Sequence, residues 1–338
     1  MVVSVKDVAA LAGVSIGTVS NVMNWPAKVS QQTVKRVQAA IDELGFVRND
    51  AARQLRAGSS RTVGLIVLDV RNPFFTDVAR GAEDGASTLG LSVLLGNSGE
   101  DEQREAAYLD LFEVQRVLGV LISPIGDVTA QLDRLRTRGT PAVLVDRIGT
   151  DPNVSSVSVD DVAGGTLAVN HLISLGRTRI AFVGGPPEIR QVADRLLGAE
   201  RSVLSHPGVT LEVIPVAALS VIAGRTAGAA IVARPPSERP DAIFAANDLV
   251  AMGILQALLM QPGTGITVPG DIALIGYDDI DFASAAVVPL SSIRQPSILI
   301  GHTALQILIE EAHDPTLEPR RIVFQPELVV RESTARSE

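Results

Sequence analysis

From Thr62 onward the chain alternates short apolar runs with helical stretches, and this alternation restricts the fold more than any other feature. Eight runs rich in Val, Ile and Leu follow one another, among them VGLIVLDV, RIAFVGG and IALIGYDD. Between them lies helix-type spacing, at residues 74–89, 101–116, 163–175, 222–233 and 248–260. Continuous apolar strands that alternate with helices are typical of parallel sheets covered on both faces. We therefore predict an α/β body of doubly wound parallel sheets.

Eight strands exceed what one small sheet holds, so the body is predicted to form two subdomains. A helix at 297–312 and a strand at 321–324 indicate that the chain crosses back between them. We expect the first subdomain at 62–159 and 292–320, and the second at 160–291 and 321–331. The whole chain then has three parts, which are a helical head at 1–48, a linker at 49–61 and the body at 62–338.

The net charge of −9 is unevenly distributed. Residues 1–61 carry eight Lys and Arg against four Asp and Glu, whereas the rest of the chain carries 21 against 34. A basic head on an acidic body suggests a nucleic-acid-binding module, with chance clustering of a few cations as the alternative.

The composition also excludes several classes of protein. The chain has no cysteine, which rules out disulfides and thiolate metal sites. No apolar run reaches the roughly 18 residues of a membrane span. No basic-then-apolar signal segment opens the sequence, so we expect a cytoplasmic protein that does not enter a membrane.

Residues 4–45 predict three short helices, the first two joined by a tight turn. The stretch VKDVAALAGVSIGTVSNVMN has helical spacing, then Gly-Val-Ser, then helical spacing again. Ser15 and Ser30 are placed as N-caps, and Gly13 and Gly45 as C-terminal stops. Two helices joined in this way form a helix-turn-helix, whose second helix lies in the major groove of DNA. A generic three-helix cap is the alternative.

The second helix carries a polar face that suits base edges and phosphates, at Ser15, Gly17, Thr18, Ser20, Asn21 and Asn24. The head, continued by VSQQTVKRVQAAIDELGFVRNDAARQLRAG, resembles the N-terminus of the lactose-repressor (LacI/GalR) family of bacterial transcription regulators. The resemblance extends through NPFF, DR, ND, VPGDIALIGYDD and QP in the body. It implies a periplasmic-binding-protein-like body. It also implies a recognition helix with Ser15, Ile16, Gly17, Thr18, Ser20 and Asn21, and phosphate contacts by Ser30 and Thr33.

The segment NDAARQLRAG, residues 49–58, is helix-prone but only about two turns long, which is too short to be stable alone. The family resemblance implies a hinge helix that pairs with that of a second subunit in the minor groove. Leu55 would then be a wedge that partly unstacks the central base step, with Ala52, Arg53 and Arg56 beside it. From the residues alone, a solvated spacer is the alternative.

Polar side chains follow almost every predicted strand of the body. Ligands of open α/β sheets bind outside the carboxyl ends of the strands. Carboxylates, amides and arginines suit a polyhydroxylated ligand, and Phe74 and Phe75 can offer its ring an apolar face. For Asn72 and Asp279, a turn or capping role is favoured. The polar residues at these strand ends are Asp69, Asn72, Asn97, Ser123, Asp146, Arg147, Asn247, Asp248 and Asp278.

The family resemblance implies effector contacts at Phe74, Asn97, Ser123, Asp146, Arg195, Asn247 and Asp278, with Asp248 beside them. Arg195 matches the arginine that commonly clamps the effector. Ile189 and Gln191 stand where purine-responsive members carry an arginine and a threonine, which argues against a nucleobase. Few arginines converge on the cleft, so we expect an unphosphorylated sugar rather than a sugar phosphate.

The sequence lacks the patterns of catalysis, since its four histidines have no metal spacing and no phosphate-binding or nucleophile motif is present. No cofactor and no metal are expected. The hypotheses are a ligand-responsive repressor, a sugar receptor that shares the body, and an α/β oxidoreductase. Head and linker favour the first. We therefore predict a repressor, not an enzyme, that binds a palindromic operator as a homodimer under control of a small molecule in the cleft. The sequence leaves open whether that molecule releases or recruits the repressor, and whether dimers assemble into tetramers.

Overall fold

The computed structural model describes residues 3–46, 60–149, 151–260 and 265–335. The chain divides into two compact units, residues 1–59 and residues 60–338. The described part of the smaller unit is helical, with a 3₁₀ turn at Pro26–Lys28 before its last helix. Its α-helices are α1 Val5–Ala12, α2 Ile16–Asn24 and α3 Gln31–Leu44.

The capping residues predicted for this head are confirmed. The Oγ atoms of Ser15 and Ser30 each accept the backbone N–H three residues later, at the starts of α2 and α3. Gly13 and Gly45 have φ of 62° and 60°, the left-handed conformation that ends α1 and α3. Apolar side chains from all three helices meet in one small core, which includes Val8, Ala12, Val19, Val22, Val37 and Ala40.

The larger unit contains two six-stranded sheets. The first sheet is parallel throughout and has the order β11-β5-β4-β3-β1-β2. Its strands are β1 Thr62–Val67, β2 Ser92–Asn97, β3 Val120–Ile122, β4 Ala142–Val145, β5 Ser155–Val159 and β11 Arg321–Phe324.

The second sheet has the order β12-β10-β9-β8-β6-β7 and is parallel except for one edge pair, β12 with β10, which is antiparallel. Its strands are β6 Arg179–Gly184, β7 Thr210–Pro215, β8 Ala242–Ala245, β9 Ala273–Asp278, β10 Ser291–Arg294 and β12 Glu327–Val329. Most strands of both sheets are buried, as the apolar runs predicted, because helices cover the faces.

Helices follow the strands in the α/β manner that the alternation predicted. Helix α4 packs against α12 over the first sheet, whereas α7 with α8 and α9 with α10 belong to the second. Their bounds are α4 Pro73–Thr88, α5 Glu102–Val114, α6 Thr129–Thr137, α7 Asp161–Ser174, α8 Arg190–Leu204, α9 Val221–Val232, α10 Asp248–Met260, α11 Asp281–Ser284 and α12 Ser297–His313. Within the described ranges no helix has both the length and the apolar character needed to cross a membrane.

The division into subdomains differs from the prediction at two places. Residues 291–294 form β10 of the second sheet, whereas 292–320 was assigned to the first subdomain. Residues 321–324 form β11, which pairs in parallel with β5 of the first sheet rather than with the second subdomain. The reason is that α12 packs on the first sheet, so the crossover through this helix returns the chain to a neighbouring strand of that same sheet. The chain therefore crosses near residues 160, 295 and 325.

Candidate functional site

A cleft lies where the carboxyl ends of both sheets approach each other. It contains about 280 Å³ of empty space, part of it open to solvent. Both subdomains contribute to its walls, because the carboxyl ends of parallel strands gather at one edge of each sheet. The lining residues are Leu68, Asn72, Phe74, Phe75, Asp146, Ile189, Gln191, Val192, Arg195, Leu219, Asn247 and Asp278.

Arg195 is the fixed cation of the cleft. Its Nε donates to Asp161 Oδ1 at 2.8 Å, and its Nη1 donates to the carbonyl oxygen of Ala246 at 2.8 Å. The guanidinium carbon lies 3.7 Å from the centroid of the Tyr277 ring. Nη1 is also 3.9 Å from Asp278 Oδ1. These contacts hold the buried guanidinium in one orientation, as a preorganised donor requires.

Asp278 receives hydrogen bonds from opposite sides of the cleft. Asn72 Nδ2, from the first subdomain, donates to Asp278 Oδ2, and Gln295 Nε2 donates to Asp278 Oδ1, both at 2.8 Å. Burial raises the pKa of Asp278 to about 6, even though the Arg195 guanidinium and the two amide donors favour the charged carboxylate. The carboxyl group of Asp278 therefore titrates close to neutral pH.

Asp146 forms the second contact between the subdomains. Gln191 Nε2, at the start of α8, donates to Asp146 Oδ2 at 3.1 Å. Burial, followed by the neighbouring Asp161 carboxylate, raises the pKa of Asp146 well above its usual range. Asp146 Oδ1, Gln191 Oε1 and Asn247 Nδ2 are buried and have no hydrogen-bond partner within the described chain. One acceptor, one donor and a carboxyl oxygen that can accept or, when protonated, donate are thus available to a ligand.

The apolar side of the cleft is formed by Phe74 and its neighbours. The rings of Phe74 and Phe75 pack edge to face, with centroids 5.0 Å apart and planes at 73°. Leu68, Ile189 and Leu219 complete this wall. A ring-shaped ligand can place its C–H surface here and direct its hydroxyl groups to the polar side.

The structure brings together five of the ten residues predicted to bind the effector: Phe74, Asp146, Arg195, Asn247 and Asp278. The other five do not line the cleft. Asp69 accepts from the backbone and side chain of Arg71, and Asn97 Oδ1 accepts from the backbone of Val70. Asp69 is therefore engaged in a local turn, whereas Asn97 ties the end of β2 to the loop that follows β1.

Of the remaining three residues, Asp248 and Arg147 form hydrogen bonds within the protein and Ser123 is buried. Asp248 accepts from Ser292 Oγ at 2.7 Å and from the backbone N–H of Ile280 at 2.9 Å, so both of its oxygens bind within the second subdomain. Arg147 Nη1 donates to the carbonyl oxygen of Gly126. Ser123 is fully buried at the end of β3. Roles of these residues in effector binding remain predictions.

Sequence reasoning missed the hydrogen bonds that Asn72 and Gln191 make across the cleft. Asn72 was interpreted as a helix cap, and its Oδ1 does accept the backbone N–H of Phe74 at the start of α4. Its Nδ2 also reaches Asp278, which only the opposing subdomain reveals. Gln191 was considered only as a departure from purine-responsive relatives. Across the described ranges no group of three or more His, Asp and Glu side chains is placed to hold a metal ion.

The head presents the predicted recognition surface along α2. Gly17 and Asn21 are exposed, as is Ile16, with 42% of its surface accessible. Asn24 Nδ2 donates to Ser20 Oγ at 3.2 Å on the same side of the helix. Ser15 pairs with Thr18, and Ser30 with Thr33, through their side-chain oxygens at 2.9 Å. The predicted hinge residues Ala52, Arg53, Leu55 and Arg56 lie outside the described residues.

A helix-turn-helix head joined to a two-subdomain ligand-binding body defines a regulatory DNA-binding protein with a sensor. Family models agree, since the lacI family of bacterial regulatory proteins matches residues 4–49 and the periplasmic binding protein-like domain matches residues 169–334. Among curated proteins, the chain is 34% identical to the HTH-type transcriptional repressor PurR of Aliivibrio fischeri (strain MJ11), over 98% of each chain. It is 35% identical to the ribose operon repressor of Escherichia coli (strain K12), over 98% of this chain and 99% of that protein.

Solved structures give the same result. The lac repressor dimer bound to operator and the anti-inducer ONPF matches with a TM-score of 0.82 and 27% identity, over 99% of this chain and 100% of that chain. A LacI family regulator from Enterococcus faecium with bound ribose matches with a TM-score of 0.74 and 28% identity, over 82% of this chain and 100% of that chain. The chain belongs to the lacI family of bacterial regulatory proteins. It is a DNA-binding, ligand-binding transcriptional repressor of this family and not an enzyme, so the resemblance and fold class inferred from the sequence are confirmed.

Proposed function

We propose that this protein is a cytoplasmic repressor that binds a palindromic operator as a homodimer and responds to a sugar in the cleft. The observation that carries the sugar assignment is the set of buried, unpartnered atoms Asp146 Oδ1, Gln191 Oε1 and Asn247 Nδ2 opposite the Phe74 wall. Hydroxyl groups of a sugar can donate to Gln191 Oε1, accept from Asn247 Nδ2, and either donate to Asp146 Oδ1 or accept from it when it is protonated. Its C–H face suits the phenyl rings.

The charge of the cleft narrows the class of ligand. Three buried carboxylates, Asp146, Asp161 and Asp278, surround the single guanidinium of Arg195. A phosphate group would add negative charge to this environment, so a neutral sugar is favoured over a sugar phosphate. The ribose operon repressor and the ribose-bound regulator are relatives consistent with this class.

The same contacts suggest how a ligand would act on DNA binding. Asn72–Asp278 and Gln191–Asp146 join the two subdomains directly across the cleft. A sugar that takes over these groups changes the preferred angle between the subdomains, and with it the spacing of the two linkers in a dimer. The segment 49–58 then loses or gains the pairing that stabilises it as a hinge helix. The effector shifts this balance only by its differential affinity for the two arrangements.

Exposed apolar side chains of the body support the homodimer. Leu94 and Leu95 lie on β2, an edge strand of the first sheet, and are 39% and 43% exposed. Ile222, at the start of α9, is 70% exposed. An unpaired strand edge with apolar side chains is a surface that a second copy can cover. A two-fold dimer would place one head on each half of an inverted repeat.

Fluorescence anisotropy tests this function. A labelled duplex from the region upstream of the protein's own gene is titrated with full-length protein, without and with ribose, other pentoses, hexoses, a disaccharide and a purine base. We expect tight binding that falls steeply with salt and that one monosaccharide changes by at least about tenfold. Absence of binding to any upstream fragment, with every candidate ligand, contradicts the proposal. A response only to the purine base would support the repressor function but would show that the ligand is a nucleobase and not a sugar.

A further inference from the structure

Trp25 is an exposed aromatic residue between two predicted DNA contacts. It follows the last residue of α2, is 47% exposed, and is the only tryptophan of the chain. Asn24, on one side, and Ser30, at the start of α3, are both expected to meet DNA. A segment between two such contacts must follow the surface of the duplex closely. This inference therefore rests on the proposed DNA-binding function of the head.

The ammonium group of Lys28 lies over the ring of Trp25. Lys28 Nζ lies 4.9 Å from the ring centroid, within the range of a cation–π contact. The 3₁₀ turn fixes the backbone that carries both side chains, because Trp25 N–H donates to the carbonyl of Asn21 and Lys28 N–H donates to the carbonyl of Trp25, both at 2.8 Å. Pro26 begins the turn and stiffens it. The pair is therefore held in place before any ligand arrives.

Apart from their contact with each other, the ammonium group of Lys28 and the indole N–H of Trp25 have no partner among the described residues of the head. In the described residues of the head, Lys28 has no ion pair with a carboxylate, and no hydrogen bond to the indole N–H of Trp25 is found. A lysine ammonium and an indole N–H are both donors, and phosphate oxygens are acceptors. An exposed aromatic ring with a stacked cation fits a polyanion better than it fits an apolar protein surface.

We propose that Trp25 and Lys28 form a phosphate contact that positions α2 in the major groove without reading the base sequence. Lys28 supplies the charge, the indole N–H supplies a second donor, and the ring keeps the ammonium group aimed along the backbone. The contact belongs to each subunit, so a dimer makes it twice.

The test measures anisotropy of a fluorescein-labelled mixed-sequence duplex, titrated with full-length protein at several KCl concentrations. For Lys28→Gln we expect about tenfold weaker binding at low salt. The slope of log Kd against log [KCl] should fall by about 0.9 per bound subunit, because one phosphate contact is lost. Trp25→Ala should weaken binding to a similar degree. Trp25→Phe, which keeps the ring face and loses the N–H, should lie between Trp25→Ala and the parent protein.

Lys35→Gln is the matched control, because it removes the same charge from an exposed position of α3. Equal weakening by Lys35→Gln and Lys28→Gln would mean a general charge effect and overturn the contact. Weakening confined to the upstream operator fragment, with mixed-sequence binding unchanged, would mean that a base is read, and would also overturn it. A parent protein that binds no duplex refutes the proposed function instead of this contact.

The single tryptophan gives an independent readout. Saturating unlabelled duplex should quench or shift the Trp25 emission of the parent protein, and the change should be lost at high KCl. Emission that stays constant while anisotropy reports full binding would show that Trp25 is away from the DNA and would overturn the proposal. Thermal unfolding of each variant, followed by circular dichroism, identifies any loss of folding. If Trp25→Ala does not fold, Trp25→Phe and Lys28→Gln still test the proposed contact.

Discussion

Asp278 shows how one carboxyl group can serve both ligand binding and the closed cleft. It lies at the end of β9 with φ of 103°, a backbone conformation that few residues other than glycine adopt. That conformation directs its side chain between Asn72 and Gln295. Strain of this kind is common where a side chain must be aimed at a ligand.

The raised pKa of Asp278 predicts a pH-dependent contribution to stability. Its folded pKa of about 6 exceeds its usual value of 3.8, so the protonated form stabilises the fold and this contribution is lost as the pH rises through 6. We expect the free energy of unfolding of the parent, relative to Asp278→Asn, to fall by at most about 3 kcal/mol between about pH 4 and pH 7. Urea unfolding at a series of pH values measures this difference. A difference that does not vary with pH would contradict the assignment.

Arg195 offers a prediction for both stability and response. Arg195→Ala leaves the Asp161 carboxylate buried without its cation, which should destabilise the body by about 3–5 kcal/mol. The variant should also lose the response to the effector, because the donor beside Asp278 is gone. Arg190→Ala is the matched control on the same helix, since the Arg190 side chain is 60% exposed and its pair with Asp194 contributes at most about 1 kcal/mol. Urea unfolding and effector titration of the protein–DNA complex give both values. Retention of the parental response by Arg195→Ala would place the effector elsewhere.

At the scale of elements, helices α4 and α12 pack closely through glycine. A Cβ added at Gly301 would collide with the carbonyl oxygen of Val78, which is backbone and cannot rotate away. Gly301→Ala should therefore destabilise the body by about 1–3 kcal/mol, despite the better helix propensity of alanine. The matched control is Gly85→Ala on α4, where a Cβ meets only the side chains of Leu305 and His302. Equal unfolding free energies for the two variants would contradict this account.

The sequence predicted the apolar strands well and the serine-rich ones poorly. Strands such as β1 and β6 were evident from uninterrupted runs of Val, Ile and Leu. β5 has the sequence SSVSV, which looks like a turn, yet Ser155, Ser156 and Ser158 are fully buried. Its strand state depends on pairing with β4 and β11, a tertiary property. The sheet to which residues 321–324 belong could not be predicted from the sequence either, because it also depends on tertiary pairing.

Part of the cleft could be predicted from the sequence, because the carboxyl ends of parallel strands gather at one edge of each sheet. Asp146, Asn247 and Asp278 follow from that rule alone, whereas Arg195 came from the family resemblance. Asp69, Asn97 and Asp248 satisfy the same rule, but Asp69 bonds within a local turn and the other two bond to groups that are distant in the sequence. The sequence alone does not distinguish such contacts from ligand contacts. Gln191 was missed because its partner Asp146 is on the other subdomain.

At the scale of the whole molecule, the proposed coupling makes the linker the step between sensor and DNA. Leu55→Ala should weaken binding to the upstream operator by about tenfold, because the wedge that kinks the duplex is lost. Affinity of the isolated protein for its effector should be unchanged, since the residues that line the cleft begin at Leu68 of the body. Anisotropy with labelled operator and calorimetric titration of the effector measure the two affinities. Operator affinity equal to that of the parent would contradict the hinge assignment.

The three passages of the chain between the two sheets constrain how such regulators can be recombined. Neither subdomain is encoded by one continuous stretch, because the last strands of each come from beyond residue 290. A gene fusion that exchanges only one subdomain with a relative would have to cut the coding sequence at three places and rebuild every junction. A single cut near residue 59, by contrast, separates two compact units. New pairings of operator with signal are therefore most accessible, to evolution and to engineers alike, by exchanging the head and leaving the sensor whole.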